Sequence, residues 1–90
     1  MKKYDLVIDV EGHTDDIPIN TAQFPSNWGL SSSRAASVVK LATERGINPK
    51  VVRAIGHADS HPKKPNRTKD GTPILENMAA NRRVDVIVHY

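Results

Sequence analysis

Apolar residues change from strand-like to helix-like spacing along the chain, and the changes predict three strands and two helices. Over residues 4–11 apolar side chains predominate, which predicts a strand buried on most of both faces. Residues 26–45 place apolar side chains at helical spacing, between an N-cap at Ser26 or Asn27 and a glycine C-cap. The remaining pattern predicts a strand over 51–55, a short helix over 75–80 and a half-buried strand over 83–89.

The order of these elements predicts an α+β fold of β-α-β-(short helix)-β topology, a two-layer sandwich. The long helix joins the first two strands as a right-handed crossover that leaves them parallel, and the last strand is expected to be antiparallel. A chain of 90 residues corresponds to one domain. Because one long helix covers only one face of a three-stranded sheet, the other face or an unpaired strand edge is expected to need a partner.

Composition and charge restrict the function only in part. The chain has no cysteine, so it cannot form a disulfide or a thiolate metal site. Its net charge of +3 permits binding to nucleic acid or to an anionic wall polymer but requires neither. No apolar stretch is long enough for a transmembrane helix, and no signal peptide is visible. Met1, Lys2 and Lys3 lead directly into the first predicted strand, which suggests an artificial start.

Polar side chains follow the first two strands at the points where each strand ends. Residues 13–16 follow the first strand and a similar group follows the second, and the carboxyl ends of parallel strands meet at one edge of a sheet. The helix start at Asn27 opens onto the same edge, where free N–H groups favour an anion. Asp15 suits an ammonium group, and Arg34, two turns into the helix, suits a carboxylate. The sequence therefore predicts a site for a zwitterionic ligand, with Trp28 as a packing anchor nearby.

The joint pattern resembles the OmpA-like peptidoglycan-binding domain, and the matching blocks follow that family's order over most of the chain. Several segments further resemble the B subunits of flagellar stators, of the MotB and PomB type, in which the loop before the long helix is longer. The blocks of the domain resemblance are Glu-Gly-His-Thr-Asp at 11–15, Asn-x-x-Leu-Ser-x-x-Arg-Ala-x-x-Val at 27–38, Gly46, Gly-x-Ala-Asp at 56–59 and Asn-Arg-Arg-Val at 81–84. Those of the stator resemblance are residues 16–19, 24–28 and 65–68.

The resemblance implies a binding module that is not an enzyme. Its ligand would be the stem peptide of the cell wall, held through the zwitterionic end of diaminopimelate, with Asp15 and Arg34 as the two main contacts. It implies no catalytic residue, no cofactor, no metal ion and no nucleic acid. In the parent protein the domain would lie on the periplasmic side of the inner membrane and anchor a flagellar stator, with its membrane-embedded A subunit, to the wall. The supporting wall residues would be Thr14, Asn27, Leu30 and Arg82.

One departure from the family pattern concerns the beginning of the chain. OmpA-like domains normally have a further strand and helix before the Glu-Gly-His-Thr-Asp strand, so residues 1–90 are interpreted as a single-domain core that is truncated or engineered. In the family sheet the last strand lies between that missing strand and the Glu-Gly-His-Thr-Asp strand. We therefore expect an exposed edge at residues 84–88, and a homodimer formed by edge pairing or by exchange of elements.

Two other functions remain open from the residues alone. One is a metal-dependent hydrolase, because side chains that zinc accepts lie at adjacent strand ends. The other is a nucleic-acid-binding module that uses the basic loop 63–69 and the arginines before the last strand, although no aromatic platform accompanies them. Metal analysis of untagged protein and the salt dependence of DNA binding distinguish both from wall binding. The candidate zinc ligands are His13, Asp15, His57 and Asp59.

Overall fold

Three strands and two helices follow one another in the predicted order in the computed structural model, which describes residues 6–90. Almost every helix or strand begins and ends within one residue of the predicted position. The exception is the start of the first strand, for which the predicted residues 4 and 5 lie outside the described range. Among the described residues no helix is long and apolar enough to cross a membrane. The elements are β1 (Val7–Gly12), α1 (Asn27–Glu44), β2 (Val52–Gly56), α2 (Leu75–Asn81) and β3 (Val84–His89).

The strands form one mixed sheet in the order β2-β1-β3. β1 and β2 are parallel, with Gly12 opposite Gly56. β1 and β3 are antiparallel, with Gly12 opposite Val84. The predicted α+β fold, with a parallel crossover and an antiparallel last strand, is confirmed. The carboxyl ends of β1 and β2 and the beginning of β3 therefore meet at one edge of the sheet.

One face of the sheet is covered by α1, which packs on β1 and β2. Val10 of β1, Ala35 of α1 and Val52 of β2 are buried there and form the centre of the core. Because side chains alternate along a strand, Asp9 and Glu11, which flank Val10, project from the opposite face. We call the sheet face opposite α1 the open face.

β3 forms an edge of the sheet within the described part of the chain, because it pairs there only with β1. Val86 lies opposite Val10 in the β1 pairing, yet it is 59% exposed, and Val88 is 39% exposed. α1 lies over β1 and β2 and leaves these two side chains largely uncovered. Within the described residues, the prediction of an exposed sheet edge at residues 84–88 is therefore confirmed.

Gly12 and Gly56 let α1 approach the ends of β1 and β2 closely. A Cβ atom at Gly12 would collide with the backbone carbonyl of Ser31, and one at Gly56 would collide with the serine side chains of the same helix turn. The buried Ser31 hydroxyl accepts the backbone N–H of Ala58 at 3.0 Å and donates to the Trp28 carbonyl at 3.2 Å. The first half of α1 is thereby fixed to the segment that leaves β2.

A buried aspartate joins all three strands on the open face. Arg53 of β2 donates to the two carboxylate oxygens of Asp9, at 2.6 Å and 3.0 Å, and His89 Nε2 of β3 lies 2.9 Å from Asp9 Oδ2. The Arg53 hydrogen bond holds the pKa of the Asp9 carboxyl below its ordinary value, with His89 adding to the effect and desolvation opposing it. These partners explain how a central strand accommodates a buried carboxylate.

Candidate functional site

Asp15 lies in the loop that leaves β1, and both of its carboxylate oxygens accept hydrogen bonds. Arg82 Nη1 donates to Oδ2 at 2.8 Å, and the backbone N–H of Ile17 donates to Oδ1 at 3.0 Å. Asp15 is 8% exposed, whereas Arg82 is exposed. Each carboxylate oxygen can accept a second hydrogen bond, so Asp15 keeps acceptor capacity for an ammonium group beside Arg82.

Thr14 and Asn27 fix the backbone around Asp15. The buried Thr14 donates its N–H to the Ala58 carbonyl at 2.8 Å and its hydroxyl to the Asp15 carbonyl at 2.8 Å. Asn27, the first residue of α1, donates from Nδ2 to the Ile17 carbonyl at 3.0 Å. These bonds tie the loop of Asp15 both to the turn after β2 and to the helix start. Hydrogen bonds thus join Thr14 and Arg82 directly to Asp15, whereas Asn27 is connected to it only through Ile17.

Leu30 and Arg34 lie on α1 beyond Asn27. Seven residues, about two helical turns, separate Arg34 from Asn27, so both side chains leave the same side of the helix. Leu30 is half-buried between them. Arg34 is exposed, and its side chain makes no hydrogen bond or ion pair with the other residues of the range 6–90. Its guanidinium donors are therefore available to a ligand, and its pairing with Asp15 around one ligand stays a prediction.

A cavity of about 220 Å³ lies between the loop of Asp15, the start of α1 and the turn after β2. Of the predicted contacts only Asn27 lines it. Trp28 also lines it and is 56% exposed, so its prediction as a packing anchor is wrong. Because Ser31 already lies over the ends of β1 and β2, the first turn of α1 extends past the sheet and leaves the indole uncovered. The other lining residues are Asp16, Pro18, Ile19, Ser26, Ala58 and Asp59.

The start of α1 brings uncompensated positive charge to this cavity. Ser26, the N-cap residue, makes no capping hydrogen bond with its side chain, and the first turn contains no acidic residue. The first N–H groups of a helix lack partners within the helix, so they favour an anion at this point. Asp16, which also lines the cavity, is already paired with Arg67 at 2.8 Å. The cavity therefore combines N–H donors at the helix start with the carboxylates of Asp16 and Asp59.

A second polar group lies on the open face at the ends of the same strands. The buried ring of His13 stacks on the ring of His57 with centroids 4.8 Å apart, and Glu11 Oε1 lies 3.1 Å from His57 Nε2. Burial lowers the pKa of His13, and the charges of Arg83 and His57 lower it further, against the opposite effect of Asp85 and Glu11. Together these effects favour the neutral form of the His13 ring.

The four candidate zinc ligands of the hydrolase hypothesis do not form one group. The carboxylate of Asp15 is held by an arginine, and Asp59 lines the cavity. The two histidines, His13 and His57, are joined instead by Glu11, which was not in that set. The hydrolase hypothesis is not supported.

The arginines considered for nucleic-acid binding are paired with carboxylates. Such pairing reduces the positive charge that phosphates could use, so this alternative is not supported either. The pairs are Arg67–Asp16 at 2.8 Å, Arg82–Asp15 at 2.8 Å and Arg83–Asp85 at 3.0 Å.

The chain is similar to motility and cell-wall proteins over most of its length. Motility protein B of Bacillus subtilis is 37% identical over 80 residues, which are 88% of this chain and 28% of that protein. The C-terminal domain of Helicobacter pylori MotB matches with a TM-score of 0.81 at 30% identity, covering 96% of this chain and 61% of that chain. The cell wall anchor of the T6SS from Pseudomonas aeruginosa matches with a TM-score of 0.72 at 34% identity, covering 96% and 55%.

The family match includes most of the candidate site. The OmpA family matches residues 1–74, a range that contains all predicted ligand contacts except Arg82. The chain spans little more than a quarter of the length of the Bacillus subtilis relative, so the match concerns this domain and not that whole protein. The chain belongs to the OmpA family and is homologous to motility protein B.

Proposed function

We propose that this domain binds peptidoglycan without catalysis and that it takes the zwitterionic end of diaminopimelate in the stem peptide. The observation that carries the proposal is the nearly buried Asp15 carboxylate beside a helix start without a compensating acid. Membership of the OmpA family and the likeness to a cell wall anchor support this class of ligand. In a longer protein the domain would anchor a flagellar stator, with its A subunit, to the wall on the periplasmic side of the inner membrane.

The zwitterion is proposed to span the gap between the loop of Asp15 and α1. Its ammonium group donates to the remaining acceptor positions of Asp15, beside the Arg82 guanidinium. Its carboxylate accepts from Arg34 in a two-pronged geometry and from the N–H groups at the helix start. Two seats of opposite charge at a fixed spacing favour a group that carries both charges over an amine or a carboxylate alone.

The other four residues support these seats. Thr14 and Asn27 hold the loop that carries the carboxylate, through hydrogen bonds to the turn after β2 and to the start of α1. Leu30 supplies an apolar wall, and Arg82 fixes the rotamer of Asp15. Binding of this kind involves no covalent step, so it needs neither a nucleophile nor a general base.

Co-sedimentation with purified cell wall tests the two charged seats. Asp15→Asn and Arg34→Ala each remove one half of the pairing, and each should weaken binding by at least about tenfold, as expected for the loss of a charge-assisted hydrogen bond. Arg45→Ala is the matched control, because Arg45 is an exposed arginine at the other end of α1. If both site variants pellet like the parent while Arg45→Ala does too, the proposal is wrong.

Muropeptides that differ at one residue test the zwitterion itself. The side chain of diaminopimelate carries an ammonium group and a carboxylate, whereas a lysine in its place keeps only the ammonium group. We expect amide NMR shifts around Asp15 and Arg34 with the diaminopimelate peptide, and clearly weaker binding of the lysine peptide. Equal affinity for the two peptides would remove Arg34 from the ligand contacts and leave wall binding standing.

We also propose that two copies of the domain associate through β3. The strand leaves one row of backbone groups unpaired within residues 6–90, next to the exposed side chains of Val86 and Val88. Apolar edge strands of this kind pair readily with a second strand, and an identical strand gives a closed twofold dimer. Light scattering at micromolar concentration should give the mass of a dimer, and Val86→Lys should give a monomer. A stable monomer of the parent chain would exclude this association.

A further inference from the structure

Three side chains on the open face have the composition of a transition-metal site. They are Glu11, His13 and His57, and one ligand atom from each lies within 4.8 Å of the others. Glu11 lies in β1, His13 follows two residues later, and His57 leaves β2 with its N–H bonded to the Gly12 carbonyl at 3.0 Å. The parallel pairing of β1 and β2 therefore brings together residues that are distant in sequence.

We propose that Glu11, His13 and His57 bind a divalent transition-metal ion, with Zn²⁺ as its probe and a fourth position left to water. Two imidazoles and one carboxylate form a ligand set that zinc accepts, with bonds of about 2.0–2.2 Å. Tetrahedral bonds of that length separate the ligand atoms by about 3.3 Å. Glu11 Oε1 lies 3.1 Å from His57 Nε2 and 3.9 Å from His13 Nε2. Because the two imidazole rings are stacked with an interplanar angle of 18°, one ring must turn before both nitrogens face the same ion.

The surroundings of His13 support this assignment. Its side chain is 3% exposed, and neither ring nitrogen has a hydrogen-bond partner within residues 6–90. Native structures leave few buried polar atoms without a partner, because each one costs folding free energy. The Nε2 atom lies near two carboxylates, Glu11 at 3.9 Å and Asp85 at 3.6 Å, so negative charge is already available for a bound cation. An ion bound at Nε2 gives that nitrogen a partner.

The metal site is separate from the proposed wall-binding site. The cavity lies at the start of α1, which packs on the other face of the sheet, whereas Glu11 projects from the open face. The proposal includes no reaction and uses neither aspartate of the hydrolase hypothesis. It revises the sequence-based expectation that the chain binds no metal ion. A bound ion would fasten the carboxyl ends of β1 and β2 to each other.

Isothermal titration of the untagged chain with ZnCl₂ tests the site. We expect one ion per chain, with affinity at least about tenfold weaker in Glu11→Gln and in His57→Gln, each of which alters one partly exposed ligand. His61→Gln is the matched control, because the His61 ring lies 4.4 Å from that of His57 without belonging to the three ligands. That variant should bind Zn²⁺ like the parent.

Thermal melts with and without Zn²⁺ accompany the titration, so that an unfolded variant is not mistaken for one that has lost a ligand. The Tm of the parent should rise with Zn²⁺, because an ion that binds the folded state stabilises it. Glu11→Gln and His57→Gln should melt cooperatively, with a smaller rise at the same Zn²⁺ concentration. The proposal is overturned if the folded parent binds no Zn²⁺, if His61→Gln loses as much affinity as His57→Gln, or if all variants bind equally.

Discussion

Replacing Asn81 with alanine removes the side chain that holds the exposed segment 63–66 against α2, and stability should fall. Asn81 is fully buried at the end of α2. Its Oδ1 accepts the backbone N–H groups of Lys63 and Lys64, at 2.8 Å and 3.1 Å. Its Nδ2 donates to the Lys64 carbonyl and to Asn66 Oδ1, both at 2.8 Å. All four hydrogen-bonding positions of the amide are therefore used.

The expected loss from Asn81→Ala is about 2–4 kcal/mol of unfolding free energy. One intramolecular hydrogen bond contributes about 0.5–1.5 kcal/mol net, so four contribute about 4 kcal/mol. The backbone groups of Lys63 and Lys64 lie in an exposed segment, and water replaces part of what they lose. Because small domains are stable by only about 5–15 kcal/mol, a change of this size is readily measured.

Urea denaturation followed by circular dichroism measures this loss as a lower midpoint with an unchanged slope. Asn77→Ala is the matched control, because Asn77 lies on the same helix and donates one hydrogen bond, to the Pro65 carbonyl at 3.0 Å. Its loss should stay below about 1 kcal/mol, since the bond is exposed. If Asn81→Ala loses no more stability than Asn77→Ala, the four hydrogen bonds of Asn81 have no net value and the reasoning fails.

Two further changes test the packing of α1 and a carboxylate in a loop. Gly12→Ala should lower the unfolding free energy by about 1–3 kcal/mol in urea denaturation, because the new methyl group meets the helix backbone. Gly29→Ala is the control, since its methyl group meets nothing within 4 Å. Equal losses in the two variants would contradict the close approach of α1. Hydrogen bonds from Thr68 and Thr72 lower the pKa of Asp70 from 3.8, so its contribution to loop order is complete above that value and is lost as the pH falls through the lowered pKa. The protection of the Thr72 amide, relative to its intrinsic exchange rate at each pH, should fall in that acid range, and Asp70→Asn should remove this pH dependence.

The order and bounds of the elements could be predicted because each carries a local signal. α1 combines an apolar stripe with Gly46, whose φ of 107° suits the left-handed residue after a helix. In β3 the alternating valines predicted a half-buried strand; its bounds agree with the structure, whereas Val86 and Val88 are exposed. These signals lie within single elements, so they needed no knowledge of long-range contacts.

Contacts across the sheet edge were harder to predict, because they join residues far apart in the chain. Arg82 pairs with Asp15 across 67 residues, and only the family resemblance pointed to it. Glu11 was absent from the predicted site, although the alternation in β1 puts it on the face opposite Val10, and the parallel register then brings the end of β2 beside it. The position of Trp28 depended on where the sheet ends beneath α1, which periodicity along the helix does not reveal.

At Gly12 the main-chain carbonyl of Ser31 is the spacer between α1 and β1. A side chain in that position could change rotamer and let the interval drift, whereas a carbonyl resting on a glycine has no such freedom. The distance between the loop of Asp15 and the helix that carries Arg34 is then fixed by the backbone. Substitutions in the apolar layer, at Val38 for example, should alter stability without changing that distance. If the domain binds the proposed zwitterion, its affinity should therefore change little when core residues are substituted.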